Sequence, residues 1–330
     1  MTGVTITGWG RALPERVVTN ADIATLFDTS DDWIFERSGI RSRRAATGPF
    51  VDPAPPPVPP ESGLGTTGIL AMEAGRLALD RAGVDPETVS LVIVCTTTPD
   101  QLIPANSASV AAALGIGGGA MDVNAACAGF TYGLVTAAGL VAAGAERVLL
   151  IGAETLTRAT NWDDRTNAFL FGDGAGAVVV EATPGEGCLL GWDLGVDGRL
   201  VPLLYAQHGS GMVMRGKEVF RRAVLATVES ATASLERAKV TADQIALFVP
   251  HQANIRIMEA AASRLGLPAE KIASVIETTG NTSSASVPLA LIDAVESGRV
   301  HDGDLLLLAG FGAGMTWSSA VWRWRDPPVR

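Results

Sequence analysis

The chain has 330 residues, 47% of them hydrophobic, with aromatics at only 5% and 37 glycines, which is enough to bury a large Ala, Val, Leu and Ile core without disulfides. A net charge of −10, from 25 Lys+Arg against 35 Asp+Glu, excludes a general affinity for nucleic acid or an anionic membrane, so any anionic partner has to meet a local basic patch. Three cysteines (Cys95, Cys127, Cys188) and a strand-like opening at Val4-Thr5-Ile6-Thr7-Gly8, in place of a basic and apolar leader, predict a reducing, cytoplasmic setting.

In chain order, the Pro49 to Pro60 stretch carries seven prolines and predicts an exposed, PPII-like loop. It reads either as a stiff, tolerated insertion or as a ligand for a proline-recognising partner. Helical spacing follows from Leu70 to Ala82, stopping at Gly83. Val89 to Thr97 is a continuous apolar run with β-branched residues, and Ser107 to Leu114 is helical again. Ala125 to Ala145 contains no charge; its Ala, Gly and Thr content points to a helix buried on every side rather than to a membrane span. Arg147 to Gly152 and Ala175 to Glu181 predict further buried strands. After Gly187 the order restarts, with a helix from Glu218 to Ala238, a strand from Ile245 to Pro250, helices at Asn254 to Leu265 and Val287 to Ser297, and a strand from Asp304 to Ala309. Alternating strands and helices predict an α/β protein with mostly parallel sheets, in two halves alike in order but not in sequence.

Three polar islands interrupt this apolar background. Cys127, in Asn124-Ala125-Ala126-Cys127-Ala128-Gly129-Phe130, precedes the uncharged helix, where free N–H groups and the positive end of the macrodipole favour thiolate. His251-Gln252-Ala253-Asn254 follows a strand end, where α/β sheets place their sites, and Gly280-Asn281-Thr282-Ser283 precedes another helix. Each has a plain alternative: a small buried thiol, a core histidine, a helix-capping asparagine. Cys95 and Cys188 read as buried hydrophobes, and His208 and His301 as surface residues. Cys, His and Asn together point to covalent acyl chemistry. A papain-like protease shares that order but not the sequence around its cysteine, nor its disulfide scaffold.

The strings N-A-A-C-A-G-F, V-P-H-Q-A-N-I-R-I, G-N-T-S-S-A-S-V-P-L-A, F-G-D-G-A-G-A and G-F-G-A-G-M-T-W closely resemble β-ketoacyl-ACP synthase III, the initiating condensing enzyme of fatty-acid synthesis, over Val4 to Trp322. That resemblance implies a thiolase-type fold, a five-layered αβαβα domain of two related halves (1–182 with the cysteine, 183–330 with His and Asn), paired as a homodimer. It implies that Cys127 takes an acyl group from acyl-CoA, that His251 and Asn281 hold the malonyl-ACP thioester oxygen during decarboxylation, and that the backbone N–H groups of Cys127 and Ala313 form an oxyanion site. Acyl-CoA is then a substrate, with no cofactor and no metal. An amide at position 281 can donate to a developing enolate, whereas a carboxylate would repel it.

The resemblance further implies that Trp33, Arg37 and Arg165 hold the CoA adenine, that Asn254 touches the pantetheine arm, and that Ile103 and Phe311 bound the acyl pocket, Ile103 standing where some relatives insert a Phe from the partner subunit. Arg221, Arg222, Arg256 and Arg264 match positions that dock the acidic carrier protein. Trp33 as a buried anchor and the arginines as ordinary solvated charges remain open alternatives. Three departures bear on the primer: Gly312-Ala313-Gly314 in place of Gly-Gly-Gly, the Pro-rich insertion, and a shortened Ala206 to Met214 segment. Fatty-acid initiation, polyketide starter selection, acyl transfer to a hydroxyl or amine, and a non-catalytic carrier-binding partner are the readings left open.

Overall fold

The computed structural model describes residues 2–59, 61–207 and 209–327. His208 and Pro60, the last residue of the Pro-rich stretch, lie outside the described residues. The chain begins with β1 (Thr2–Ala12), then a short hairpin, β2 (Val17–Thr19) and β3 (Ser42–Arg44), enclosing α1 (Asn20–Ile23) and α2 (Asp31–Ser38). Next come α3 (Thr66–Ala82), β4 (Leu91–Cys95), α4 (Asn106–Leu114), β5 (Gly119–Val123), α5 (Gly129–Ala142), β6 (Arg147–Thr155) and β7 (Asp173–Pro184). The remaining elements are β8 (Leu189–Val196), a small pair β9 (Leu204–Tyr205) and β10 (Val213–Met214), α6 (Gly216–Ala238), β11 (Ile245–Pro250), α7 (Ile255–Arg264), α8 (Ile276–Thr279), α9 (Ser286–Glu296), β12 (Leu305–Gly312) and β13 (Thr316–Arg323).

Two sheets carry the architecture, ordered β1-β7-β6-β4-β5 and β11-β12-β13-β8. The apolar runs expected as strands are apolar at every position because both sheet faces are covered. Successive side chains point to opposite faces, so Ile93, Leu150, Val249, Leu306 and Leu308 face the middle of the molecule. Their neighbours Val92, Val94, Leu149 and Ile151 face α3 and α4, and Phe248 and Leu307 face α6 and α7. The middle layer is α5 and α9, whose Phe130, Leu134, Val287 and Leu291 pack between the sheets. The order is therefore helix, sheet, helix, sheet, helix, the five layers expected of a thiolase-type fold. Each fully buried Leu, Ile or Val contributes about 2 kcal/mol of transfer free energy.

Two expectations are corrected. The sheets are mixed: β4–β5, β4–β6 and β11–β12 pair in parallel, but β1–β7, β6–β7, β12–β13 and β8–β13 pair antiparallel. An apolar run fixes that a strand is covered on both faces but carries nothing about its direction. Nor is α5 buried on every side, since Gly139 and Ala142 are exposed near its C-terminus. Among the described residues no helix is long and apolar enough to cross a membrane.

The likeness of the halves lies in topology. The run β4, β6, β7, β1 is parallel, antiparallel, antiparallel, and β11, β12, β13, β8 repeats that pattern, with α5 and α9 in equivalent places.

Candidate active site

The turns before α5 and α9 carry Cys127 and Asn281, and the end of β11 carries His251; all three line one cavity of about 560 Å³. Asn124, Phe169, Phe171, Met212, Met214, Asn254, Phe311 and Ala313 also line it.

Cys127 sits in a tight turn. Ala126 adopts φ +49°, a left-handed conformation costly for a residue with a Cβ. The N–H groups of Ala128 and Gly129 donate to the carbonyls of Ala125 and Ala126 at 3.1 and 2.9 Å, so these two donors are already engaged. This corrects the expected thiolate. Burial pushes the Cys127 thiol up to about 12; a hydrogen bond from the Ser283 hydroxyl opposes the rise and the Glu154 carboxylate adds to it. The sulfur is a thiol at rest and has to lose its proton as it attacks. From the other half, β12 closes over the turn: a Cβ on Gly312 would lie 2.4 Å from the Cys127 nitrogen, and one on Gly310 would lie 2.7 Å from the Ala128 Cα. Only glycine permits that approach.

Asn281 is fixed by its backbone, its N–H donating to Leu170 O at 2.8 Å and its carbonyl accepting from Gly172 at 3.0 Å. Its Oδ1 accepts the Ser283 N–H at 2.9 Å, which assigns Oδ1, and among the described residues the Nδ2 donors have no hydrogen-bond partner. His251 is buried and its N–H donates to Ala309 O at 2.7 Å. Burial lowers its pKa to about 3, so the imidazole is neutral. A neutral imidazole and a primary amide beside a thiol can donate to a thioester oxygen without adding net charge. Ala313, which stands where the resemblance has the middle glycine of Gly-Gly-Gly, has no left-handed backbone and lines the cavity.

Two guanidinium groups lie over the Trp33 ring: Arg37 Cζ is 4.3 Å and Arg165 Cζ 5.6 Å from its centroid. The three do not line the cavity itself; Trp33 reaches it through an edge contact with Phe169. Asn254 Nδ2 donates to Arg37 O at 2.7 Å while its Oδ1 accepts from Arg256 N at 2.9 Å, so this side chain both caps α7 and ties it to α2. Phe311 is buried against Val219 and Met315. Ile103, by contrast, is 82% exposed and does not line the cavity of its own chain. Arg221 and Arg222 on α6 and Arg256 and Arg264 on α7 are exposed. Among the described residues Arg221, Arg256 and Arg264 form no ion pair, and Arg256 lies over Phe220, which lines the cavity.

The Pro-rich segment is more than a free surface loop. Phe50 packs edge-on against Trp162 at 5.5 Å, in a cluster with Val51, Trp33, Met212 and Met214. Cys95 and Cys188 are buried, and His301 is exposed. Among the described residues no group of His, Cys, Asp and Glu could hold a metal ion.

The serines of G-N-T-S-S-A-S carry functions that the string alone does not mark. Ser283 contacts the sulfur, and Ser284 Oγ turns its one proton toward two acceptors, Cys95 O at 2.7 Å and Glu154 Oε1 at 2.9 Å. Glu154, at the end of β6, also accepts from Thr97 N at 3.1 Å and Thr98 Oγ1 at 2.6 Å. It therefore ties strand ends of the first half to the Asn281 turn of the second. The available signal was a charged residue closing an apolar strand.

The family model described as 3-Oxoacyl-[acyl-carrier-protein (ACP)] synthase III matches residues 121–198, and that for its C-terminal part matches residues 235–324. The chain is 44% identical to a Beta-ketoacyl-[acyl-carrier-protein] synthase III of Listeria monocytogenes over 97% of this chain and 98% of the relative. Its fold is similar to the 3-oxoacyl-[acyl-carrier-protein] synthase III of Aquifex aeolicus VF5 (TM-score 0.90, 38% identity, 98% and 100% of the two chains). It is also similar to the priming β-ketosynthase of the R1128 polyketide biosynthetic pathway (TM-score 0.89, 38% identity, 99% and 97%). With a thiol, an imidazole and an amide gathered from two halves onto one cavity, the chain belongs to the 3-oxoacyl-[acyl-carrier-protein] synthase III family.

Proposed function

We propose that this protein performs the decarboxylative condensation of an acyl-CoA primer with malonyl-ACP, yielding a β-ketoacyl-ACP, with residues 1–182 supplying the nucleophile and 183–330 the imidazole and amide. The carrying observation is that Cys127, His251 and Asn281 all line one cavity. The Cys127 sulfur bonds to the primer carbonyl, the CoA sulfur leaves, and the thiol proton ends on CoA. Malonyl-ACP then loses CO₂, and the electron pair of the broken C–C bond moves into an enolate whose oxygen accepts from His251 Nε2–H and Asn281 Nδ2–H. The enolate carbon attacks the thioester, the tetrahedral oxygen faces the backbone N–H groups of Cys127 and Ala313, and collapse expels the Cys127 sulfur. Acylation first and condensation second is a ping-pong order.

The indole of Trp33 with the guanidinium groups of Arg37 and Arg165 over its ring suits a purine, and Asn254 and Phe311, which share the cavity lining with Cys127, suit contacts to the arm and acyl group of the same substrate. The exposed arginines on α6 and α7 beside the cavity suit an acidic carrier. Ile103 and Leu102, both exposed, suit a homodimer in which Ile103 completes the partner's pocket. Free cysteines suit a cytoplasmic setting. The likeness to a polyketide priming synthase favours a second reading of the pathway, starter selection by the same chemistry. Incubation with a panel of acyl-CoAs, localisation of the acyl mass by peptide mass spectrometry, and CO₂ release on adding malonyl-ACP test the proposal. Label on Cys127 followed by CO₂ release supports it. Label without CO₂ release redirects it to acyl transfer, and no label to a non-catalytic partner.

A further inference from the structure

His251 has a ring nitrogen committed away from the cavity. Its Nδ1 lies 2.6 Å from Ser286 Oγ, at the first residue of α9, and both groups are buried. A hydroxyl has one proton to give and two lone pairs to offer. One lone pair of Ser286 Oγ is taken by the Gln252 backbone N–H at 3.3 Å. That N–H is held in place because the Gln252 side chain is itself fully used: Nε2 donates to Pro250 O at 2.7 Å and Ala273 O at 3.2 Å, and Oε1 accepts from Val275 N at 3.0 Å.

If His251 donated Nδ1–H to the serine, Ser286 Oγ would accept twice and its own proton would have no acceptor, since no other partner of Oγ exists among the described residues. An unsatisfied O–H in a buried site is costly. We infer that Ser286 is a positioning residue that donates to His251 Nδ1 and thereby keeps the imidazole proton on Nε2, the nitrogen that serves the malonyl thioester oxygen. Gln252, directly after the histidine, aims the serine through its backbone N–H.

This inference rests on the reading of His251 as a donor in decarboxylation, and the two can fail separately. The chain holds three histidines (His208, His251, His301), so ¹⁵N-imidazole-labelled protein gives few signals, and His251→Asn identifies those of residue 251. Near pH 7.5 the wild-type protein is expected to show an unprotonated Nδ1 and a protonated Nε2. Ser286→Ala is expected to shift the proton toward Nδ1 and to lower malonyl-ACP decarboxylation about tenfold. Acylation of Cys127 should fall less, and Ser286→Thr, which keeps the hydroxyl, should restore the wild-type tautomer. A protonated Nδ1 in the wild-type protein overturns the inference whether or not any Ser286 variant folds. An unchanged tautomer in folded Ser286→Ala overturns it equally. Decarboxylation that survives His251→Asn would instead sink the functional reading while leaving the tautomer assignment standing.

Discussion

The turns that open α5 and α9 are built alike, residue for residue, although their sequences share only the leading Asn and the closing Ala. Asn124 and Asn281 begin them, and each Oδ1 accepts the N–H two residues on, Ala126 at 3.2 Å and Ser283 at 2.9 Å. Those residues adopt φ +49° and +47°, the helix caps are Ala128 and Ala285, and neither helix has a side-chain cap. In this alignment Cys127 faces Ser284. One turn therefore offers a nucleophile to the cavity, while its counterpart sends the equivalent side chain into the core, to Glu154, and offers its leading amide instead. A single backbone device has been assigned two jobs by the identity of one or two side chains.

The largest effect that sharpens this contrast is at the aligned pair Cys127 and Ser284. Cys127→Ala should abolish acyl labelling and lower condensation by about a thousandfold or more, whereas Ser284→Ala should be acylated still; intact-mass analysis after acyl-CoA exposure reads both. Comparable losses of labelling in the two would break the assignment. Next come the leading amides. Asn281→Asp keeps the acceptor for Ser283 N–H but replaces the donor with a charged oxygen, so CO₂ release should fall about a hundredfold with acylation retained. Asn124→Asp should cost far less in the same assay.

A smaller difference is in pH. Thr96 follows β4 as His251 follows β11, and only the latter titrates. The folded His251 pKa is lowered to about 3 from 6.5 by burial, so between those values the unfolded chain binds a proton that the folded chain refuses. Its contribution to stability is complete above pH 6.5 and is lost as pH falls toward 3. Urea titrations at pH 7.5 and pH 5 should show a loss about 2 kcal/mol greater for the wild type than for His251→Asn. The smallest effect is backbone strain. Ala126→Gly should raise stability by about 0.5–1 kcal/mol in urea unfolding, while Ser283→Gly, relieved of the same strain, should slow acylation by losing its hydroxyl from the sulfur.

Much of this was legible in the letters. The strand Ile245–Pro250 was bounded correctly from its apolar run, and α3 was found from its spacing up to Gly83, because covering both sheet faces and one helix face leaves an unmistakable pattern. The edge strand β5, Gly-Ala-Met-Asp-Val, was not found, since a half-exposed edge has no continuous apolar face. Strand direction was lost for a different reason, that pairing partners lie far apart in sequence, as β1 and β7 do. At the site, Cys127, His251 and Asn281 stood out as polar islands. Ser286 did not, because a serine at a helix start looks ordinary until the imidazole 35 residues away in sequence is placed against it. The matching turns were invisible because their left-handed residues are Ala and Ser, with no glycine to mark the conformation.

The bare α-carbons of Gly310 and Gly312 let the second sheet rest directly on the peptide that holds the sulfur. Such a seam leaves no slack for one half to slide over the other during turnover. Two bulky thioesters must then be exchanged at a rigid floor, with the accommodation supplied by the rest of the wall, where unbranched Met212 and Met214 are the most compliant side chains.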